Sequence, residues 1–324
     1  MDGPGKRDHG GGIDAAIATY GGSRKDWLDL STGINPEPYP LPDLPADVWT
    51  ALPDQDALNR LLAAARRFWN VPGNAQIIAA PGASALIAAM PVLARRREVQ
   101  IPGPTYNEHA AAFRVWRYEV HDDTPCDARV LVHPNNPDGK LWATGQLEGF
   151  TLIDESFCDV TPGASFVDRA AEPGVIVLKS FGKFWGLAGV RLGFAIGLPE
   201  TLNPGDGPGL TEILGPWAVS GPALAIGATA LKDQTWATAT RARLKADAAR
   251  LDALIEGRGA RVVGGTTLFR LYDVTDAAAA RHSLAEHHIL SRSFPYSNTW
   301  LRLGIPPASG WDQLETALLG ASFA

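Results

Sequence analysis

The chain has 324 residues, 45% of them hydrophobic and 20% charged, and a formal net charge of -6. This is the composition of an ordinary globular protein with material for a sizeable core, in one large domain or two unequal ones. The acidic balance argues against a nucleic-acid surface, which needs a basic excess. The two cysteines, Cys126 and Cys158, stand in no metal or redox spacing, so they read as ordinary thiols of a reducing compartment and no metal is expected. MDGPGKRDHGGG at the start has no apolar core for a signal peptide, and the longest apolar stretch, Ala85–Ala94, is too short to span a bilayer. The expectation is a soluble, cytoplasmic protein.

Residues 1–45 are rich in Gly and Pro, end in PEPYPLPDLP, and read as an extended arm. In DQDALNRLLAAARRFW the apolar spacing becomes helical, with Asp54 or Asp56 placed to cap it. An alternation follows: QIIAAP predicts a strand, GASALIAAMPVLARRR a helix, VQIPGPTY a strand and NEHAAAFRVW a helix. ARVLVHP, FTLIDESF, GVIVLKSF and VRLGFAIG are further short β-branched runs bounded by Gly or Pro. Strands alternating with helices imply an α/β fold whose mostly parallel sheet is covered on both faces. LPETLNPGDGPG, residues 198–209, marks a boundary. Beyond it, EILGPWAVSGPALAIGATAL predicts one long apolar helix and ATRARLKADAARLDALIEG an Ala/Arg-rich one, with strand–helix–strand material to the end. The predicted division is an arm at 1–45, a large domain at 46–205 and a smaller α/β C-terminal domain at 206–324.

In doubly wound sheets, ligands gather at the carboxyl ends of strands and at helix N-termini. The polar clusters of this chain fall there. Pro81-Gly82-Ala83-Ser84 joins a strand to a helix, and its free amides suit a phosphate, but taken alone the stretch reads far more readily as a plain strand–helix turn; it lacks the lysine of a P-loop and the glycines of a dinucleotide fingerprint. Asn135-Asn136, between prolines after the strand RVLV, can aim an amide into a cleft or serve turn chemistry only. Asp154-Glu155 ends the strand FTLI, placed either to cap the next turn or to pair with a ligand cation. Two lysines lie four positions apart. Lys179 ends a strand and can snorkel to solvent, whereas Lys183 sits in a loop with Ser180 and Gly182 before it and Arg191 after it. A lysine nucleophile needs a partly desolvated amine, and a Ser and an Arg beside it supply an anion site. A lysine, an anion site, an aspartate and a stacking aromatic such as Tyr106 are what a pyridoxal phosphate pocket needs.

The ordered set PGAS, PTY, NNP-x-G, DES-F, S-F-G-K and GLAGVRLGF resembles the fold-type I aminotransferase family of pyridoxal phosphate enzymes, and within it the branch holding histidinol-phosphate aminotransferase and threonine-phosphate decarboxylase. The likeness runs from His9-Gly10-Gly11 through Asn35-Pro36 to TWLRLGIP, nearly the whole chain. It implies the following roles. Lys183 carries the cofactor as a Schiff base. Ser180, Arg191 and the amides of Ala83 and Ser84 hold its phosphate. Asn136 contacts the ring oxygen, Asp154 the pyridinium nitrogen, and Tyr106 stacks on the ring. Arg302 binds the substrate carboxylate, Arg292 and His9 the substrate phosphate, and Asn35 belongs to the same substrate set. Lys179 receives no role.

Three positions depart from the branch's aminotransferases. Phe157 replaces a tyrosine whose hydroxyl meets the ring oxygen. Leu52 replaces a tyrosine that reaches the partner subunit's phosphate. Asp138 stands for a threonine and reads as turn chemistry. The HGG start, Asn35-Pro36 and Phe157 favour the decarboxylase, so the resemblance implies a homodimer acting on threonine phosphate to make the aminopropanol phosphate of the cobalamin side chain. The alternative is an aminotransferase for histidinol phosphate or a similar phosphorylated amine. A non-catalytic cofactor-binding regulator is disfavoured by the joint presence of Lys183, Asp154 and Arg191, and an oxidoreductase by the lack of a dinucleotide fingerprint. His287-His288 reads as a surface helix end, Arg95–Arg97 as a helix C-terminus, and the ten tryptophans as core and interface filling.

Overall fold

The computed structural model describes residues 9–143, 145, 147, 149–319 and 323. Residues 1–8, which begin the arm and the segment judged against a signal peptide, lie outside the described residues. The chain opens with α1 (Ile13–Tyr20) and β1 (Leu28–Asp29), then α2 (Asp47–Thr50), α3 (Gln55–Phe68) and β2 (Gln76–Ala80). Next come α4 (Ala83–Ala94), β3 (Glu98–Gln100), α5 (Asn107–Val115), β4 (Glu119–His121), β5 (Ala128–Val132), β6 (Phe150–Asp154), β7 (Val175–Ser180) and β8 (Gly193–Gly197). They are followed by α6 (Pro199–Leu202), α7 (Leu210–Leu214), α8 (Gly221–Ala230), α9 (Gln234–Glu256), β9 (Arg261–Thr266) and β10 (Phe269–Asp273). The last elements are α10 (Ala277–Glu286), β11 (Ile289–Leu290), β12 (Arg292–Phe294), β13 (Ser297–Gly304) and α11 (Trp311–Leu318).

Two compact units result. The larger comprises Pro38–Asn136 and Lys140–Ala239; the smaller comprises the residues up to Glu37, Pro137–Gly139 and the residues from Thr240 on. In the larger unit a seven-stranded sheet runs β2-β8-β7-β6-β5-β3-β4. Its pairs from β7 through β4 are parallel, and β8 alone runs antiparallel to both of its neighbours. All of β6 and the first five residues of β7 are buried, as expected of strands covered on two faces. On one face Leu86, Met90 and Phe113 of α4 and α5 pack against Leu152, Ile176 and Leu178, each fully buried side chain stabilising the fold by about 1.5–3 kcal/mol. Of the two candidate caps for α3 the structure selects Asp54, whose carboxylate accepts the Ala57 amide at 2.7 Å.

The single long apolar helix expected at 212–231 is two helices. α7 stops at Gly215, whose φ of +70 is left-handed, just before Pro216; α8 restarts under the Ser220 cap with Pro222 in its first turn. A Cβ on Gly227 of α8 would meet Leu192 at 2.6 Å and Leu61 at 2.8 Å, so α8 lies close on α3 and joins the larger unit by contact, although its sequence lies beyond the 205/206 boundary.

The smaller unit holds the antiparallel sheet β12-β13-β10-β9 and the parallel pair β1-β11. Residues 13–29 correct the extended-arm reading. Ile13 and Ala16 of α1 pack with Trp27, Ala285 and Leu290, and Ile17 and Tyr20 add to the same stripe. The helical spacing of these apolar residues outweighs the Gly-rich flanks. Surface placement holds for His287 alone, since the His288 ring lies 5.1 Å from that of Trp27 and is half-buried. Among the described residues no helix is long and apolar enough to cross a membrane.

Candidate active site

At the carboxyl edge of the larger unit's sheet, one cleft is lined by Ala83, Ser84, Tyr106, Asn136, Asp154, Ser180, Lys183 and Arg191, together with Gly82, Ser156 and Phe157. All eight residues expected to hold a cofactor therefore converge.

One end of the cleft gathers helix-start amides, a hydroxyl and a guanidinium. Ala83 and Ser84 begin α4, so their amides have no intrahelical partner and point outward. Gly82 ahead of them has φ +89, and a Cβ there would meet Nη2 of Arg191 at 2.7 Å; a Cβ on Gly193 would meet the Ala83 nitrogen at 2.5 Å. Both glycines let the guanidinium and the β8 backbone close over the helix end. Arg191 itself takes a left-handed φ of +54, costly for a residue with a Cβ, and its Nη1 donates to the Ala188 carbonyl at 3.2 Å. Ser180 adds a hydroxyl from the end of β7.

Asp154, buried at the end of β6, forms the other pole. Its Oδ2 meets His109 Nε2 at 2.8 Å, and its Oδ1 accepts the Ser156 amide at 2.9 Å and the Ser156 hydroxyl at 2.5 Å. Burial alone would raise this carboxyl, but the hydrogen bond and charge of His109 and the bonds from Ser156 outweigh it, holding Asp154 below the usual carboxylate range. His109 was not anticipated. In NEHAAAF it reads as one more residue of a half-apolar helix, and only the fold carries α5 to the end of β6. Its Nδ1 is buried with no hydrogen-bond partner among the described residues.

Tyr106 precedes α5 and stands edge-on to the His109 ring at 6.1 Å. Of the adjacent asparagines only Asn136 lines the cleft; Asn135 is spent on structure, its Oδ1 accepting from Thr105 Oγ1 at 2.6 Å and its Nδ2 donating to the Pro104 carbonyl at 3.1 Å. Lys183 is half-buried, with Nζ 5.3 Å from the centre of the Phe157 ring.

Lys179 does not snorkel. Buried on the other side of β7, its Nζ donates to Glu155 Oε2 at 2.6 Å and lies 3.6 Å from Asp159 Oδ1. Burial would lower this amine, but the two carboxylates outweigh it and hold it protonated above the ordinary lysine range. An amine so held is no nucleophile. Glu155 also accepts the Ser165 hydroxyl at 2.6 Å and the Phe166 amide at 2.5 Å, so it is fully engaged away from the cleft.

The residues expected to hold substrate fall differently, in the smaller unit. His9 and Arg292 line one cavity of about 510 Å³ with Ser31, Tyr20 and Arg281. Arg302, on β13, is buried, donates through Nη2 to the Ser31 carbonyl at 2.6 Å and lies 5.1 Å over the Phe269 ring. Asn35 is buried too; its Oδ1 accepts Arg243 Nη2 at 2.6 Å and the Glu37 amide at 3.1 Å. Neither Arg302 nor Asn35 lines that cavity. Leu52 is 68% exposed; Asp138 lies in the turn at 136–138, and its carbonyl accepts the Gly265 amide at 2.7 Å across a long stretch of sequence.

Comparison with known proteins matches the family model "Aminotransferase class I and II" over residues 121–318. The threonine-phosphate decarboxylase of a Sinorhizobium species is 40% identical, covering 96% of this chain and 97% of that protein. The threonine-phosphate decarboxylase of Pseudomonas aeruginosa is 38% identical, covering 97% of each. Among solved structures, histidinol-phosphate aminotransferase from Sinorhizobium meliloti, in complex with pyridoxal-5'-phosphate, superposes with a TM-score of 0.77 at 18% identity, covering 95% of this chain and 93% of that one; at that identity the likeness is one of fold. The cleft, the fold-type I architecture and the relatives agree, and the chain belongs to the class I and II aminotransferase family.

Proposed function

We propose that this protein is a pyridoxal phosphate-dependent lyase that decarboxylates L-threonine O-3-phosphate to carbon dioxide and aminopropanol phosphate. The reading is carried by one observation: two relatives that align along nearly the whole chain, at 40% and 38% identity, are threonine-phosphate decarboxylases. The cleft fits the cofactor, with an anion cup at one pole, a buried ionised carboxylate at the other and a lysine and an aromatic ring between them. When bound, pyridoxal phosphate supplies an electron sink conjugated to the substrate's α-carbon.

The chain's own residues would do the rest. Arg191, Ser180 and the amides of Ala83 and Ser84 take the cofactor's phosphate, while Asn136 and Tyr106 fix the plane of its ring. Asp154, kept ionised by His109 and Ser156, holds a proton at the pyridine nitrogen. Lys183 would carry the cofactor and return a proton to Cα. Arg302 forks onto the substrate carboxylate, a geometry that guanidinium matches and ammonium does not. Which bond breaks depends on which one the clamp sets perpendicular to the ring. His9 and Arg292, which line one cavity, would read the substrate's phosphate, and Asn35, whose Oδ1 accepts from Arg243, is kept in the substrate set as a positioning residue.

We further place the enzyme in the cytoplasm, in formation of the cobalamin side chain, as a homodimer. Support for the dimer comes from Trp49, Leu52 and Trp217, large apolar side chains 66%, 68% and 60% exposed. Trp217 also lines a groove of about 570 Å³ with Leu58, Leu62 and Leu224, and apolar surface of this kind marks an interface.

The test offers the purified holoenzyme threonine phosphate alone, and separately histidinol phosphate with 2-oxoglutarate. Release of carbon dioxide in the first tube without any keto acid is the expected result. Glutamate in the second tube, with none in the first, hands the case to the aminotransferase reading.

A further inference from the structure

On the sheet's far edge from the cleft, three side chains of different chemistry meet. Glu98 starts β3, His121 ends β4 and Cys126 stands two residues before β5. One ligand atom from each lies within 4.8 Å of the other two. Parallel pairing builds the group: Glu98 faces Glu119 and Gln100 faces His121 across β3–β4, while Gln100 also faces Arg129 of β5. Residues two apart share a face of a strand, so Glu98, Glu119 and His121 project to one side.

We propose that Glu98, His121 and Cys126 bind a borderline-soft divalent cation, zinc, which ties β3, β4 and the entry to β5 together. The donor set selects the ion class. A thiolate, an imidazole and a carboxylate suit zinc, whereas magnesium and calcium take oxygen ligands. Three protein ligands leave the fourth tetrahedral position to water or to Glu119, whose Oε1 lies 3.8 Å from His121 Nε2. That same Nε2 is buried with no hydrogen-bond partner among the described residues, a deficit that metal ligation removes. Of the surrounding charges, Asp127 is matched by Arg96 at 3.7 Å, and Arg129 of β5 stands at the register of Gln100 and His121. Cys158, the other cysteine in the chain, is fully buried elsewhere with its thiol pushed up by burial and by Glu155, so a thiolate signal reports on Cys126.

Cadmium titration of the untagged, chelator-washed holoenzyme tests the site. A thiolate-to-cadmium charge-transfer band should grow to one equivalent, disappear on addition of zinc and be absent in Cys126→Ser. His121→Gln and Glu98→Gln should each weaken binding at least about tenfold, the loss seen when even an outer hydrogen-bond partner of a ligand is removed. In the unmodified protein, zinc should protect Cys126 from iodoacetamide, a readout that does not depend on any variant folding. No band, an unchanged band in Cys126→Ser, unchanged affinity in both other variants, or full labelling of Cys126 at saturating zinc each overturns the proposal.

Discussion

The two sides of the β6–β7 pair use the same residue types for opposite ends. Asp154 and Glu155 are neighbours in sequence, and Lys179 lies four residues before Lys183, yet strand alternation sends one carboxylate to the cleft and the other away from it. On the far side, Glu155, Asp159 and Lys179 satisfy one another in a buried network, and the amine there is locked in its charged form. On the cleft side Asp154 is ionised by His109 and Ser156, while Lys183 lies half-buried against an aromatic ring. A lysine held charged by carboxylates in direct contact, as Lys179 is, serves structure.

Substitution at the carboxylates should separate the sides most sharply. Asp154→Asn is expected to cut turnover by about 100-fold or more with saturating cofactor, the scale of losing one preorganised electrostatic partner. Glu155→Gln, by contrast, should lower the unfolding midpoint while leaving residual turnover per folded molecule close to normal. Similar turnover losses in both would erase the distinction.

Lys179→Met removes one partner of a buried pair and leaves two carboxylates uncompensated, a change that costs about 3–5 kcal/mol. Denaturant unfolding should show that loss, with cofactor absorbance retained in the fraction that folds. A variant as stable as the parent would show that the network contributes nothing.

His109→Phe keeps the ring but drops the bond to Asp154 Oδ2. Turnover should fall by about tenfold, less than in Asp154→Asn because the two bonds from Ser156 remain. The pH response supplies the smallest effect. With its folded-state carboxyl held below the ordinary value, Asp154 lends stability that is complete above about pH 4 and is lost as pH falls through the lower folded-state value. Thermal unfolding between pH 5 and 3 should therefore show a shallower acid decline in Asp154→Asn than in the parent; equal slopes would contradict the assignment.

Much of this was legible in the sequence. Strand ends followed by polar turns announce a parallel sheet's ligand edge, and seven of the eight residues expected to hold the cofactor lie at or just beyond such an end or at a helix start, while Arg191 precedes β8. What escaped depended on contacts distant in sequence. His109 joins Asp154 across 45 residues. The strand pattern that places Lys179 says nothing of the carboxylates that bury it, so solvent exposure was the natural expectation. Glycine-rich flanks hid α1, whose apolar stripe is short, and one Gly-Pro step broke a helix that composition had made continuous. The spacing of Glu98, His121 and Cys126 matches no linear metal motif, because the register of three strands makes the group.

The central claim is that Lys183, and not Lys179, carries the cofactor. Borohydride reduction of the yellow holoenzyme, followed by digestion and mass-spectrometric localisation, reads it directly. A pyridoxyl adduct on Lys183, with Lys179 unmodified, is the predicted result; an adduct on Lys179 would contradict the account.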